Sequence, residues 1–200
     1  MFLRSLTRNL TRKHLVAGAA VPAAILLSGG VVWQSSYSAF SATTSNPTNN
    51  WSSGTVALTD DDSNTALFTA TNLKPGATGV KCIAVTSTGS LPAAVKLYGT
   101  SYATTNALAD SINLKVEQGT GATNASCAGF TGGSTLFDST LSSFGTTKTG
   151  FASGVGTWAP VGGTSETRSY RVTYTLSATT PDTAQGGTAA VGFTWESQNS

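Results

Sequence analysis

Chemistry in this 200-residue chain has few residue types to draw on: one histidine, two cysteines, nine carboxylates and eleven lysines and arginines. Hydroxyls are abundant, yet a serine becomes a nucleophile only when a base takes its proton. The single histidine, His14, lies beside Arg4, Arg8, Arg12 and Lys13, and nothing after it offers an imidazole. A Ser–Lys pair would have to use Lys74, Lys81, Lys96, Lys115 or Lys148, but no spacing signature marks one and no G-x-S-x-G elbow occurs. Zinc hydrolysis of the H-E-x-x-H type needs histidines that the chain lacks, and no glycine run matches a phosphate-binding loop. Glu117, Glu166 and Glu196 have no context that singles out a carboxylate pair for glycoside hydrolysis. The residues therefore point away from an enzyme, and no cofactor is expected.

Asp60-Asp61-Asp62-Ser63-Asn64 comes nearest to a metal motif. Asp60, Asp62 and Asn64 stand at i, i+2 and i+4, the spacing that opens a calcium-binding EF-hand loop. Thr65 occupies the position where that loop needs glycine, and no glutamate closes it. A solvated turn is the plainer reading, with these three residues as a weak calcium candidate. Trp51, Trp158 and Tyr102 are aromatics that either stack on a sugar or a partner or pack at an edge. Asn50-Trp51-Ser52 and Asn124-Ala125-Ser126 match the N-glycosylation sequon, a pattern common by chance.

Export gives the two cysteines their meaning. The basic start and the uncharged run from Leu15 to Trp33 read as a secretory signal peptide over residues 1–38, cut between Ser38 and Ala39. Pro22 and Gly29-Gly30 weaken the run as a permanent span; an uncleaved membrane anchor is the alternative. In an oxidising compartment Cys82 and Cys127 are expected to form a disulfide. Removing the leader turns a net charge of +2 into about −2, since seven basic residues then face nine acidic ones. Neither balance suits a protein held to nucleic acid by phosphate contacts.

The remainder, residues 39–200, reads as one β-sandwich domain behind a flexible segment, 39–51. Tyr170, Val172, Tyr174 and Leu176 alternate with polar residues, as do Val191, Phe193 and Trp195. The turn residues between these two strands leave them either antiparallel neighbours or a bridge between sheets. Shorter runs cover Thr55 to Thr59, Ala66 to Thr71, Gly79 to Ser87, Ala94 to Tyr98 and Ile112 to Glu117. Such spacing predicts an all-β antiparallel sandwich of jelly-roll or immunoglobulin-like topology. Short helices are expected over Asn106 to Asp110 and Leu136 to Phe144, and a long Gly/Thr/Ser loop from Gly145 to Thr167.

Several segments, in order, resemble the camelysin and TasA family of exported Gram-positive proteins. They are Tyr37-Ser38-Ala39-Phe40-Ser41, Trp51 to Leu58, Asn72-Leu73-Lys74-Pro75-Gly76, Val85 to Ala93, and the final Val191 to Asn199. The resemblance implies a jelly-roll sandwich, processing by a dedicated signal peptidase, and matrix fibres in which a freed N-terminal segment adds as a strand to the next subunit. That segment maps here to Ala39, Phe40, Ser41 and Ala42, with the tail to Trp51. Thr43 to Asn50 is a poor strand by composition, and Pro47 removes a ladder donor. The family's metallopeptidase label finds no metal-ligand motif here to receive it. The leading expectation is an exported structural protein of the cell surface or biofilm matrix, associating with itself or with other matrix proteins. A secreted module binding glycan or protein through its loops is the alternative, and a peptidase the least supported.

Overall fold

The computed structural model describes residues 41–44 and 55–199. The leader, the junction at Ser38 and Ala39, Phe40, Trp51 and the sequon at Asn50 lie outside the described residues. Nine strands are described: β1 Ser41–Thr44, β2 Leu58–Asp60, β3 Thr78–Ser87, β4 Ala93–Thr104, β5 Ile112–Thr120, β6 Thr131–Thr140, β7 Val155–Trp158, β8 Glu166–Leu176 and β9 Ala189–Asn199. One α-helix, α1, spans Leu141–Thr147.

The strands nest. β5 pairs with β6, β4 with β7, β3 with β8 and β1 with β9, all antiparallel, so the first half of the chain runs beside the second as one long ribbon. Winding that ribbon interleaves the pairs into two sheets, ordered β1-β9-β4-β7 and β2-β3-β8-β5-β6. This is the jelly-roll arrangement, with β2 added on the free side of β3. β8 and β9 lie in different sheets, so the turn chemistry between them serves a bridge from one sheet to the other.

Period-two alternation decides what is buried. Ile83 and Val85 on β3, Ile112, Leu114 and Val116 on β5, and Tyr170, Val172 and Leu176 on β8 turn one face inward. Val95 and Leu97 on β4, Trp158 on β7 and Trp195 on β9 belong to the same core. Tyr170 meets Trp195 with ring centroids 5.2 Å apart, a direct contact between the sheets. α1 plugs one end: Phe144 packs on Phe137 at 5.0 Å and on Phe193 at 5.7 Å. Thr140 caps the helix by accepting the Ser143 N–H at 3.1 Å.

Where apolar residues and alternation part company, the sequence expectations need correction. Leu136 and Phe137 belong to β6, paired with β5, and the helix begins only at Leu141; their helical spacing with Leu141 and Phe144 is coincidental. The Asn106–Asp110 segment forms only a 3-10 turn, Leu108–Asp110, after Asn106 and Ala107 take left-handed φ values of 52° each. Ala66 to Thr71 is not a strand; Leu67 and Phe68 pack onto the core, Phe68 edge-on to Tyr174 at 5.1 Å. Gly145 to Thr167 is not a continuous loop, for it holds the end of α1, a 3-10 turn at Phe151–Ser153, β7 and the start of β8. Ser41 to Thr44, part of the segment read as flexible, forms β1.

Gly145 lies inside α1, where glycine is a poor helix residue, because the Tyr102 ring lies where its Cβ would be. Gly145→Ala should therefore lower stability by about 1–3 kcal/mol through overpacking, against the gain that alanine normally gives a helix. Urea unfolding followed by circular dichroism checks this.

Candidate functional site

The acidic turn after β2 is organised around its own backbone. Asp62 Oδ1 accepts the Asn64 N–H at 2.8 Å, and the Asp62 carbonyl accepts the Thr65 N–H and hydroxyl at 3.1 and 2.6 Å. Ser63 and Asn64 take φ values of 54° and 63°, the left-handed conformation of a tight turn. Burial, and after it the neighbouring Asp60, push the Asp62 carboxyl above its ordinary range, against the pull of the Asn64 N–H. Thus two members of the calcium candidate Asp60, Asp62 and Asn64 are joined in an Asx-type turn. Among the described residues no group of three or more His, Cys, Asp or Glu side chains gathers as a metal site.

Asp61, between the candidate ligands, does something the sequence reading did not anticipate. Its Oδ1 accepts the Ala84 N–H of β3 at 2.8 Å and its Oδ2 accepts the Asn124 N–H at 2.7 Å. Asn124 belongs to a strap, residues 121–130, between β5 and β6. Three further contacts fasten the strap to the five-stranded sheet. Cys127 is disulfide-bonded to Cys82 of β3, as the sequence predicts. The Ser169 hydroxyl donates to the Ala122 carbonyl at 2.6 Å and accepts the Ala122 N–H at 3.0 Å. The Phe130 ring lies 4.4 Å from the Arg171 guanidinium carbon.

Arg171 joins the strap to an ion-pair cluster on the outer face of that sheet. Its Nε donates to Glu117 Oε2 at 2.8 Å and its Nη2 lies 2.8 Å from the same oxygen, while Lys115 Nζ lies 3.1 Å from Glu117 Oε1. Glu117 and Arg171 are register partners across β5 and β8. Arg171 and, more weakly, Lys115 hold the Glu117 carboxyl below its ordinary value in spite of burial. On the other sheet, the Tyr98 hydroxyl donates to Glu196 Oε2 at 2.8 Å; burial first, then Glu196, pushes that phenol up to about 12.

Trp158, Tyr102, Lys96 and Lys115, four of the residues read as candidate chemistry, are engaged within the fold. Trp158 is not displayed on a loop: it is 4% exposed at the end of β7, with the Arg168 guanidinium carbon 5.6 Å from its ring. Tyr102 packs against Gly145 and the core. Lys96 Nζ donates to the Gly156 carbonyl, and Lys115 is engaged with Glu117.

The feature with functional geometry is the set of sheet edges. A strand edge offers a row of backbone donors and acceptors to any other chain. β7 is short, and its register against β4 is broken. β6 pairs with β5 through two register shifts. β3 is covered by β2 only at Val85 to Ser87, and Asp61 takes the next donor. β2 itself ends the five-stranded sheet and is three residues long. The edge opposite β7 in the four-stranded sheet is β1, whose Ser41, Ala42, Thr43 and Thr44 pair with Gln198, Ser197, Glu196 and Trp195 of β9. Two members of the predicted donor segment, Ser41 and Ala42, thus sit as an edge strand on their own chain's sheet.

No protein-family model matches the chain, and a search of curated proteins returned no match.

A carboxylate whose folded pKa is depressed contributes stability above its unfolded value and loses it as pH falls through the folded one. Glu117 should therefore contribute fully above its ordinary value of 4.5, and that contribution should fade below it. In urea titrations between pH 7 and pH 2, Glu117→Gln should lower stability at pH 7 and flatten the acid limb of the profile.

Proposed function

We propose that this chain is an exported, non-catalytic structural protein, a subunit of a cell-surface or extracellular matrix fibre that assembles by strand addition. The observation that carries this reading is β1. Among the described residues, four ladder pairs join it to β9, next to the expected cleavage junction. Release of this strand exposes β9 from Trp195 to Gln198. The same four residues can then complete the β9 edge of a neighbour, with main-chain hydrogen bonds setting the register. A head-to-tail contact of this kind does not close on itself and propagates as a filament.

Three further features support the reading. The other edges are short, irregular or capped, which favours one mode of addition over several. The chain beyond the leader has no imidazole, and the segment resemblance to the camelysin and TasA family runs in the same direction. As part of this proposal, a signal peptidase removes residues 1–38 and the exported protein begins at Ala39.

N-terminal sequencing of the exported protein should read from Ala39, and negative-stain images of the same sample should show filaments. Deleting residues 39–44 should abolish the filaments and leave the β-rich circular dichroism spectrum in place. Exported protein that stays monomeric under all conditions by imaging and light scattering would contradict the proposal, as would filaments indifferent to the deletion.

A further inference from the structure

We propose that Asp61, locked by the strap of residues 121–130, is a plug that closes the β3 edge against pairing with the β3 edge of a second copy. This goes beyond the fibre reading, because it concerns the sheet that β1 does not join.

The argument starts from main-chain parity. Thr86 is the register partner of Thr59, and the Thr88 N–H donates to the Ala57 carbonyl, so the even-numbered amides of this stretch point away from β8. Ala84 follows the rule, since its N–H donates to Asp61. Cys82 and Val80 then present their N–H groups to the same side, past the end of β2. Asp60 is the register partner of Val85, so a continued β2 would place Asp61 opposite Ala84. The chain instead turns away after Asp60, and the Asp61 carboxylate accepts the hydrogen bond that a main-chain carbonyl of an added strand would otherwise take.

The second carboxylate oxygen makes the plug rigid. It accepts the Asn124 N–H of the strap, which is itself held through Cys127 to Cys82 and through Ala122 to Ser169. A single carboxylate thus joins the edge strand to a covalently anchored segment. What the plug guards is an edge suited to self-pairing. Val80 is 47% exposed, one of the large apolar side chains most open to water, and the run Val80 to Val85 contains two valines and an isoleucine. The fitting occupant is the same strand of another copy, because two β3 edges related by a two-fold axis pair antiparallel and need no other element. Lys81, exposed on this strand, adds a like-charge penalty to that pairing.

The test uses the exported protein with Asp61→Ala, read by amide hydrogen exchange and by sedimentation velocity. Exchange at Ala84 should rise roughly tenfold, the loss expected for one charge-assisted hydrogen bond. The protein should also gain a dimer that the unaltered chain does not form. Adding Val80→Lys should remove the dimer and leave the fast Ala84 exchange unchanged. Filaments built through β9 should be indifferent to Val80→Lys, which separates this proposal from the fibre reading. Asp61→Asn, which keeps the side-chain volume and one carbonyl oxygen, should fold and dimerise more weakly, so the test survives if the alanine variant does not fold. Monomeric behaviour of the folded variants would overturn the proposal, as would association that Val80→Lys fails to reduce.

Discussion

Two sheets of hydrogen-bonded strands necessarily end in edges, and an edge is a row of backbone groups with half their partners missing. A buried unpaired amide costs free energy, and an exposed one invites another strand. The jelly roll meets this constraint unevenly. Winding one ribbon onto itself pairs β9 and β4 on both sides along parts of their length, and it pushes β1, β7, β6 and the β2–β3 border outward. Each outer element then carries its own treatment: brevity at β7, broken register at β6, a carboxylate plug at β3 and a four-residue strand at β1. The first three discourage addition. The fourth, paired with β9 at Ser41 to Thr44, is the one that the proposed exchange uses.

The interior allows this economy at the margins. Tyr170 and Trp195 join the two sheets through the middle of the core, and Phe144 closes one end against Phe137 and Phe193. The buried core cluster between the sheets is built from residues outside β1, and the proposed exchange requires that this core hold when β1 leaves. The disulfide and the Glu117–Arg171 pair work on the opposite, outer face, where they hold down a strap with little apolar packing of its own.

Much of the fold is legible where side-chain type alternates with period two. β3, β5, β8 and β9 carry Val, Ile, Tyr, Phe or Trp on one face and polar residues on the other, and the sequence predicts all four. The disulfide follows from an even cysteine count in a chain expected to be exported. β6 is hidden because Thr131 to Thr135 offers only Thr, Gly and Ser, with no apolar face to reveal the alternation. β7 is hidden because it is short and follows a glycine-rich turn. Trp158 lies buried in the core rather than displayed because a lone aromatic in a polar stretch gives no sign of which way its backbone faces. The acidic run shows the same limit at the site. Its spacing singles out Asp60, Asp62 and Asn64, yet the residue that ties two distant segments together is Asp61, through partners 23 and 63 residues away. Contacts at such separations depend on tertiary placement and leave no local trace.

Strand exchange at β9 is the central claim, and the register makes it directly measurable. Ser41 is the ladder partner of Gln198, and the described residues contain no free cysteine. Exported protein carrying Ser41→Cys can be mixed with protein carrying Gln198→Cys, allowed to assemble, and oxidised. If β1 of one copy completes β9 of the next, the assembled fraction will yield a disulfide joining the two variants. Assembled material in which the two variants never cross-link would contradict the account.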